Sequence, residues 1–497
     1  MDAGADPTDR AATNLRGAVL PGALSGIIGG AAFGASIIET GALRTIASIA
    51  RTDSAAVGLC IHIVVAIVVG IGFGLLVWFQ RPGSGETLFW GLAYGAMWWF
   101  LGPMTLLPLL LGEPIAWNVE AARLLIPSLF GHLVYGAVTG LAFVVLTRGR
   151  SAATARSVLT AGACIRGAFS GLFGALALAA ILDGQPDSPS ISTSMMMPDR
   201  PTSWLVIPLA GAVAGIGFAL LFPDPREGSG PMLIRGVVYG LTTWVAFAVT
   251  LIPIASGDGL RWSVTDIRAS FETLPGYLLF IGAVPALLYC WSSSVARSLT
   301  HDGPAVTSQE SAGAQGLHAI GAGAIAGLVG GTVFSIVLAQ RGDLSGIAAM
   351  VANDSAPVGF VIHLFTSVLI GVGYGLIFVR RSNDISSALG WGTSYGVFWW
   401  LMGSLTLLPI LAGDVPRWSV DAAIDAYPEL IGHLVYGAFL GVVFYRIEAR
   451  FDPWWFARNE SEQRRAIRAA DQLAGSAPAL WVVTVLFALA IPLLLAP

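Results

Sequence analysis

The feature that most constrains this chain is a series of thirteen apolar runs that follow one another from end to end. Each is long enough for a helix to cross ~30 Å of hydrocarbon, which takes roughly 20 apolar residues. Composition agrees, because 55% of the residues are hydrophobic and only 11% are charged. We therefore predict an all-α, polytopic transmembrane protein in contact with the lipid bilayer. The predicted spans are 19–39, 57–79, 86–111, 124–147, 160–182, 203–222, 232–254, 273–295, 317–340, 357–380, 386–411, 427–447 and 476–496.

The distribution of arginine predicts the orientation of the chain. The 26 basic residues are all arginines, and eighteen of them lie in the N-terminal tail and the even-numbered loops. By the positive-inside rule this side faces the cytoplasm, and thirteen spans then put the C-terminus outside. Because no basic patch is interleaved with aromatic residues, we expect no nucleic-acid partner. The eight arginines on the opposite side are Arg44, Arg51, Arg123, Arg200, Arg261, Arg268, Arg341 and Arg417.

Features typical of several other protein classes are missing from the sequence. The polar start MDAGADPTDRAATNLRG leads into an apolar span that has no small-residue cleavage pattern, so we expect no signal peptide. Cys60, Cys164 and Cys290 lie at unrelated spacings, which predicts neither a disulfide framework nor a cysteine metal site. No nucleophile elbow, phosphate loop, zinc-protease helix or pair of catalytic carboxylates occurs, so enzyme activity is not expected.

The chain contains three copies of one four-span unit. A shift of 301 residues aligns 22–147 with 323–448 without a gap, and a shift of 145 brings 167–292 into the same frame. An even number of spans gives the copies one orientation, so we predict a pseudo-trimer around an axis along the membrane normal. The predicted segments are a cytoplasmic tail (1–18), repeat 1 (19–148), a degenerate repeat 2 (160–296), a polar linker (297–316), repeat 3 (317–448), a charged segment that lies on the cytoplasmic interface or is a solvated connector (449–475), and a last membrane helix (476–497).

The third span of each repeat holds the most shared residues, in the stretches YGAMWWFLGPMTLLP, YGLTTWVAFAVTLIP and YGVFWWLMGSLTLLP. The shared proline predicts a bend in each helix. The shared tryptophan lies near mid-span and not at an aromatic belt, so we predict that it packs between helices, with a ligand contact as the alternative. The equivalent residues are Trp99, Trp244 and Trp400, then Thr105, Thr250 and Thr406, then Pro108, Pro253 and Pro409.

Repeats 1 and 3 each carry two histidines inside their spans, His62 with His132 and His363 with His433. His62 lies about five residues into its span and His132 about eight, so at 1.5 Å per residue they reach a similar depth. Both spans run from the outside inward. We therefore expect the two imidazoles of each repeat to face each other in the outer half of the membrane.

Small residues follow each histidine at every fourth position, which puts them on one helix face. Such a ridge lets helices approach closely or leaves a slot for a flat ligand. Repeat 2 has Ile207 and Tyr277 at the histidine positions, so both histidines are lost together, which favours a joint role. The predicted scaffold around the histidines is Gly70, Gly74, Gly136 and Gly140 in repeat 1, Gly371, Gly375, Gly437 and Gly441 in repeat 3, and Trp99 and Trp400.

The histidines have four interpretations. They hydrogen-bond across helices to stabilise packing, bind a b-type haem as paired axial ligands, hold a small metal ion, or bind protons, since imidazole has an unperturbed pKa of about 6.5. Two ligands are too few for a metal ion, and no intramembrane carboxylate or cysteine completes the shell. Coupled transporters usually place a carboxylate in the membrane, and only Glu39, at the end of the first span, comes close.

A known family shares part of this pattern. A second span with a histidine eight residues before GVGYG, a third span with tryptophan and proline, an external tryptophan and the motif ELIGHLVYG together resemble the YagU-like inner-membrane family. The resemblance covers 22–147 and 323–448, and more weakly the middle repeat. It implies a bacterial inner-membrane protein, with one four-span unit per chain in the family and a link to survival in acid. This chain differs by fusing three units and by lacking both histidines in one of them.

Two functions follow as hypotheses. The first is a pore or permease-like assembly for a small solute or ion, in which the histidines set the response to pH. The second is a haem-carrying electron-transfer or accessory subunit that works with other membrane subunits. A purely structural role in a membrane assembly is a further alternative.

Overall fold

The computed structural model describes residues 7–78, 83–147, 153–183, 200–223, 228–300, 312–382, 384–455 and 477–496. Within these ranges the chain is helical without any strand, and thirteen helices are long and apolar enough to cross a membrane. Each of them overlaps one predicted span, so the predicted fold class, an all-α polytopic membrane protein, is confirmed. Residues 301–311 of the predicted linker and 456–475 of the predicted interfacial segment lie outside the described residues.

Residue contacts divide the chain into two compact units. The first comprises Met1–Thr160, Val245–Ile267 and Ala474–Ala479, and the second comprises Ala161–Trp244, Arg268–Leu473 and Leu480–Pro497. The unit boundary therefore passes through repeat 2, whose residues 245–267 are grouped with repeat 1. The domain boundaries derived from the repeats stay a prediction.

The first unit holds the four helices of repeat 1, which are α1 (Gly17–Glu39), α2 (Ala55–Trp78), α3 (Ser84–Leu111) and α4 (Ile126–Thr147). Helix α1 packs most closely against α2 and α4, and α4 packs in turn against α3. Because α1 separates much of α2 from α4, a side chain of α1 can contact residues of both neighbours.

Residues 245–267 pack onto this four-helix unit through their loop. The indole of Trp262 stacks on the ring of Phe130, with 6.2 Å between ring centroids. The backbone N–H of Leu260 donates a hydrogen bond of 3.2 Å to Oε1 of Glu39. The carboxylate of Glu39 thus holds a loop at the end of α1.

The second unit holds the remaining helices except for residues 245–267 of repeat 2 and the first two residues of the last helix. The helices of repeat 2 are α5 (Ala161–Asp183), α6 (Trp204–Leu221), α7 (Ser229–Ser256) and α8 (Val264–Ala296), and the others are α9 (Gly316–Arg341), α10 (Ala356–Phe378), α11 (Ile385–Leu411), α12 (Tyr427–Arg450) and α13 (Pro478–Leu495). In repeat 3, α9 packs against α10 and α12, and α12 packs against α11, which is the order found in repeat 1.

A π-helical turn interrupts the third helix of every repeat. The turns are Gly102–Leu106, Trp244–Leu251 and Trp400–Leu407, and each ends two residues before the shared proline. Because proline has no backbone N–H, the helical hydrogen-bond ladder loses a donor at this point, and the irregularity predicted from the proline takes the form of a wider turn.

The shared threonine satisfies a carbonyl inside each of these π turns. Its hydroxyl donates to the carbonyl oxygen five residues earlier, at 2.8 Å for Thr105, 2.7 Å for Thr250 and 2.8 Å for Thr406. The same hydroxyl oxygen accepts from the indole N–H of a loop tryptophan, at 3.0 Å from Trp117, 3.0 Å from Trp262 and 2.9 Å from Trp418.

Candidate functional site: two His-Phe-His clusters

In repeat 1 the two histidines pack against one phenylalanine. Phe33 of α1 has its ring centroid 5.5 Å from that of His62 on α2 and 4.8 Å from that of His132 on α4. Both contacts are edge-to-face, with interplanar angles of 81° and 60°. We expected the imidazoles to face each other, and the structure instead joins them through the phenyl ring of a helix that packs against both of theirs. We call these three residues the His-Phe-His cluster of repeat 1.

Backbone carbonyls define which nitrogen of each imidazole carries the proton. Nε2 of His62 lies 2.9 Å from the carbonyl oxygen of Gly30, and Nδ1 of His132 lies 2.7 Å from that of Ser128. Since a carbonyl oxygen only accepts, the neutral rings donate through Nε2–H in His62 and through Nδ1–H in His132. The other nitrogen of each ring has no hydrogen-bond partner among the described residues.

Repeat 3 contains the same cluster at the positions shifted by 301 residues. The ring centroid of Phe334 lies 5.1 Å from that of His363 and 4.9 Å from that of His433. Nε2 of His363 donates to the carbonyl of Gly331 at 3.2 Å, and Nδ1 of His433 donates to that of Glu429 at 2.8 Å. The ring contacts, the hydrogen bonds to backbone carbonyls and the tautomers are therefore the same in both clusters.

Repeat 2 replaces all three members of the cluster. Leu178 stands at the position of the phenylalanine, and Ile207 and Tyr277 stand at those of the histidines. Leu178 and Ile207 are buried. Repeat 2 thus packs the corresponding helices together without any imidazole.

The sequence analysis did not identify Phe33 or Phe334, although the first glycine of the motif GHLVYG packs against each of them. A Cβ at Gly131 would lie 1.9 Å from Cε2 of Phe33, and one at Gly432 would lie 1.9 Å from Cε2 of Phe334. The first glycine of the motif therefore leaves the space that the phenyl ring fills. The signal available in the sequence was a phenylalanine at matching positions of repeats 1 and 3 and a leucine in repeat 2.

The tyrosine of the same motif ties α4 to α2. The hydroxyl of Tyr135 donates to the carbonyl of Ala66 at 2.8 Å, and that of Tyr436 donates to the carbonyl of Ser367 at 2.8 Å. These carbonyls lie one turn after His62 and His363, so each tyrosine fixes the helix segment that carries a histidine. Phe280 takes this position in repeat 2 and has no hydroxyl.

The two glycine ridges of repeat 1 face different helices. A Cβ at Gly70 would lie 2.5 Å from the carbonyl oxygen of Gly22 on α1, whereas one at Gly136 would lie 2.0 Å from that of Gly91 on α3. Both ridges are filled by close helix contact and leave no slot for a flat ligand. The remaining scaffold glycines make equivalent contacts, Gly74 with Ala18, Gly140 with Thr87, Gly371 with Gly323, Gly375 with Ala319, Gly437 with Gly392 and Gly441 with Ala388.

The mid-span tryptophans bond across their own repeats. The indole N–H of Trp99 donates to the carbonyl of Leu125 at 3.0 Å, and that of Trp400 donates to the carbonyl of Ala426 at 3.0 Å. In repeat 2, Trp244 donates to the hydroxyl of Thr273 at 2.9 Å. In repeats 1 and 3 this bond joins the third helix to the residue directly before the fourth, and in repeat 2 it joins α7 to a residue within α8, which is a packing role in each case.

Charged groups lie beside the cluster of repeat 3. Glu429, one turn before His433, has Ser404, Asp343, Arg417 and Arg341 around its carboxyl group. Arg341 pairs with Asp343 at 2.7 Å. In repeat 1 the position of Glu429 is taken by Ser128, whose hydroxyl oxygen lies 3.3 Å from Nδ1 of His132. Among the three repeats, a carboxyl group next to the histidine is thus specific to repeat 3.

The residues as placed do not fit a haem held by both histidines of one repeat. Such a haem needs an unprotonated nitrogen from each imidazole on opposite sides of the iron. The phenyl ring packs against both imidazoles, where the macrocycle would lie, and Nε2 of His62 donates to a carbonyl. For metal ions, the described residues contain no group of three or more His, Cys, Asp or Glu side chains that could bind one.

Comparisons with protein-family models, curated proteins and solved structures found no match to this chain.

Proposed function

We propose that this chain is a non-enzymatic, acid-responsive membrane protein of the pore or permease type, in which the two His-Phe-His clusters bind protons. The observation that carries the proposal is the recurrence of one cluster, with the same hydrogen bonds to backbone carbonyls, in repeats 1 and 3. Helix packing alone does not need imidazoles, since repeat 2 packs the corresponding helices with Leu178, Ile207 and Tyr277.

Each cluster offers two nitrogens to incoming protons, Nδ1 of the first histidine and Nε2 of the second. Imidazole is the side chain whose unperturbed pKa lies closest to neutral pH. Protonation adds a positive charge beside a phenyl ring and glycine-rich helix contacts, where few groups solvate it. Acid therefore favours a state in which α1 separates from α2 or α4 and water reaches the imidazoles.

The clusters differ in how protons reach them. Glu429 lies one helical turn from His433 and has charged groups around its carboxyl group, whereas repeat 1 has Ser128 at that position. A carboxyl group near the membrane surface can relay a proton to a neighbouring imidazole. We expect the cluster of repeat 3 to respond to acid first.

The proposal also includes the membrane that holds the protein, the orientation of the chain and the arrangement of its repeats. The excess of arginine in the N-terminal tail and even-numbered loops supports a cytoplasmic N-terminus. The likeness to the YagU-like family supports a bacterial inner membrane and a role in acid. Fusion of three like-oriented units supports a pseudo-threefold arrangement, which a single-unit relative would reach as a homotrimer.

A b-type haem protein is the alternative function, and no observation favours it over proton binding. The phenyl ring and the tautomer of His62 both oppose it. Visible absorption of the purified protein distinguishes the two, because haem bound by two imidazoles gives a Soret band and a proton-binding cluster gives none.

The decisive experiment measures permeability of liposomes that contain the purified chain. Glycerol flux is followed by stopped-flow light scattering and proton flux by an internal pH dye, while the external pH is lowered from about 8 to about 5. We expect at least one flux to increase in acid. The increase should disappear when repeats 1 and 3 receive the residues of repeat 2, by Phe33→Leu, His62→Ile and His132→Tyr with Phe334→Leu, His363→Ile and His433→Tyr.

This variant is a matched control, because repeat 2 shows that the three residues pack in such a unit. His318→Gln, outside both clusters, should keep the acid response. The proposal fails if neither flux depends on pH in the natural chain, or if the six-residue variant responds to acid as the natural chain does.

A further inference from the structure

The loop that precedes the fourth helix of a repeat packs on the fourth helix of the repeat before it, and the chain shows this contact twice. Trp262 of repeat 2 stacks on Phe130 of α4 in repeat 1. Trp418 of repeat 3 lies against α8 of repeat 2, with its ring centroid 6.4 Å from that of Phe280. These two tryptophans are 4% and 3% exposed. A buried loop tryptophan is therefore a regular part of the contact between consecutive repeats.

Both sides of the same contact are open at the ends of the repeat series. Trp117 of repeat 1 is 59% exposed and stacks on Phe100 of its own repeat, with 5.3 Å between ring centroids. Ile431 of α12 takes the position of Phe130 and is 39% exposed, whereas Phe130 is 4% exposed. Repeat 1 thus presents a loop tryptophan, and repeat 3 presents the helix face that receives one.

A polar pair accompanies the tryptophan, and its two members change together. The backbone N–H of Leu260 in repeat 2 donates to Oε1 of Glu39 in repeat 1. In repeat 3 the position of Leu260 is taken by Pro416, which has no N–H, and in repeat 2 the position of Glu39 is taken by Gly184, which has no side chain. Donor and acceptor are present together in the first pair and missing together in the second.

The open pair has both a donor and an acceptor. Ile115 of repeat 1 takes the position of Leu260 and has a backbone N–H, and Gln340 of repeat 3 takes the position of Glu39 and has an amide oxygen that accepts. Ile115 is 41% exposed, and Gln340 is exposed at the end of α9. We call residues 115–117 the free loop and Gln340 with Ile431 the free face.

We infer that this protein associates with a second copy of itself, and that the free loop of one copy packs on the free face of the other. Trp117 then covers Ile431 as Trp262 covers Phe130. Because repeats 1 and 3 are predicted to have one orientation, copies inserted the same way carry loop and face on the same side of the membrane. A contact between two different faces is head-to-tail, and it assembles the copies into a ring or a row.

An exposed tryptophan at a membrane surface also serves as an anchor in the lipid headgroups. An anchor accounts for Trp117 alone. It does not account for Ile115 and Gln340, which keep the donor and acceptor that the pair of Pro416 and Gly184 lacks. None of these residues belongs to a His-Phe-His cluster, so the inference is independent of the acid response.

Cross-linking between two kinds of chain tests the contact. One chain carries Ile115→Cys and the other carries Gln340→Cys, both without the native cysteines, and the two are expressed together in one membrane. A short bismaleimide should join them into a product of twice the mass of one chain. Asp354→Cys in place of Gln340→Cys is the matched control, because this exposed residue of repeat 3 lies outside the free face. The native cysteines are removed by Cys60→Ala, Cys164→Ala and Cys290→Ala.

A second measurement keeps the native cysteines. The full chain, fused to a fluorescent protein, is reconstituted in liposomes, and copies per assembly are counted from bleaching steps over a range of protein densities. We expect assemblies of two or more copies. Trp117→Ala should weaken the association about tenfold, as for an aromatic residue at the centre of an interface. Trp204→Ala, at a tryptophan that is 42% exposed elsewhere, should leave it unchanged. Gln340→Glu should keep the association and Gln340→Leu should weaken it.

Three results would overturn the inference. The first is that the chains with Ile115→Cys and Gln340→Cys give no more product than the Asp354→Cys control. The second is that single copies predominate at every density, or that Trp117→Ala associates as tightly as the natural chain. The third comes from one chain that carries both Ile115→Cys and Gln340→Cys, because a product with the mass of one chain would show that the contact closes within a single copy.

Discussion

At the scale of single residues, the contact between Gly131 and Phe33 determines whether the cluster of repeat 1 can form. A Cβ at Gly131 would lie 1.9 Å from Cε2 of Phe33, so Gly131→Ala must displace the phenyl ring and with it both imidazoles. Overpacking of this kind costs about 1–3 kcal/mol. We expect a lower thermal unfolding midpoint in detergent, and the same for Gly432→Ala in repeat 3.

Repeat 2 supplies the control for this substitution. A Cβ at Gly276 would lie 3.1 Å from Cδ1 of Leu178, a flexible side chain that can move. Gly276→Ala should therefore cost less than either of the other two changes. Adding Phe33→Leu to Gly131→Ala should restore part of the stability. Equal losses at all three glycines would show that the phenyl ring does not cause the effect.

At the scale of elements, the π turn of each third helix contains a threonine that bonds a loop tryptophan. The three tryptophans differ in how deeply they are buried. Trp418 is 3% exposed and bonds Thr406, whereas Trp117 is 59% exposed and bonds Thr105. Thr406→Val leaves a buried indole N–H without an acceptor, which costs about 1–3 kcal/mol. Thr105→Val should cost less than about 1 kcal/mol, because the indole of Trp117 can bond water instead.

Thermal unfolding of the two variants in the same detergent measures this difference. Thr250→Val extends the comparison, since its partner Trp262 is 4% exposed and the loss should match that of Thr406→Val. A loss for Thr105→Val as large as for the other two would mean that the carbonyl inside the π turn, and not the tryptophan, determines the cost.

The same elements show how much of the fold can be predicted from sequence patterns. The apolar runs predicted all thirteen helices, because only a helix satisfies its backbone in hydrocarbon and its length is set by the bilayer. The glycines after each histidine predicted close helix contact, which the structure has at Gly70 and Gly136. Spacing within one helix predicts the face that carries the glycines but not the helix that covers it, so the sequence did not show that Gly70 faces α1 and Gly136 faces α3.

The candidate site was also predicted only in part, since the sequence indicated the two histidines but not the phenylalanine between them. The positions and depth of His62 and His132 followed from the sequence, and the structure brings both into one cluster. Phe33 was not foreseen, because an apolar residue in an apolar span carries no signal of its own. Its role follows only from the packing of α1 against both α2 and α4, which a single helix pattern does not contain.

At the scale of the whole molecule, the number of membrane helices determines where the two ends of the chain lie. If each of the thirteen apolar helices found in the described residues crosses the membrane once, the termini lie on opposite sides, and the arginine asymmetry predicts a cytoplasmic N-terminus. Alkaline phosphatase needs disulfides that form outside the cytoplasm. Fused to the C-terminus and expressed in a bacterium, it should therefore be active.

Removal of α13 tests the same prediction, because twelve crossings return the C-terminus to the side of the N-terminus. The phosphatase fused after Leu473 should be inactive, although every helix of the three repeats is still present. Activity in both fusions would mean that α13 does not cross the membrane, and activity only in the shorter one would reverse the orientation.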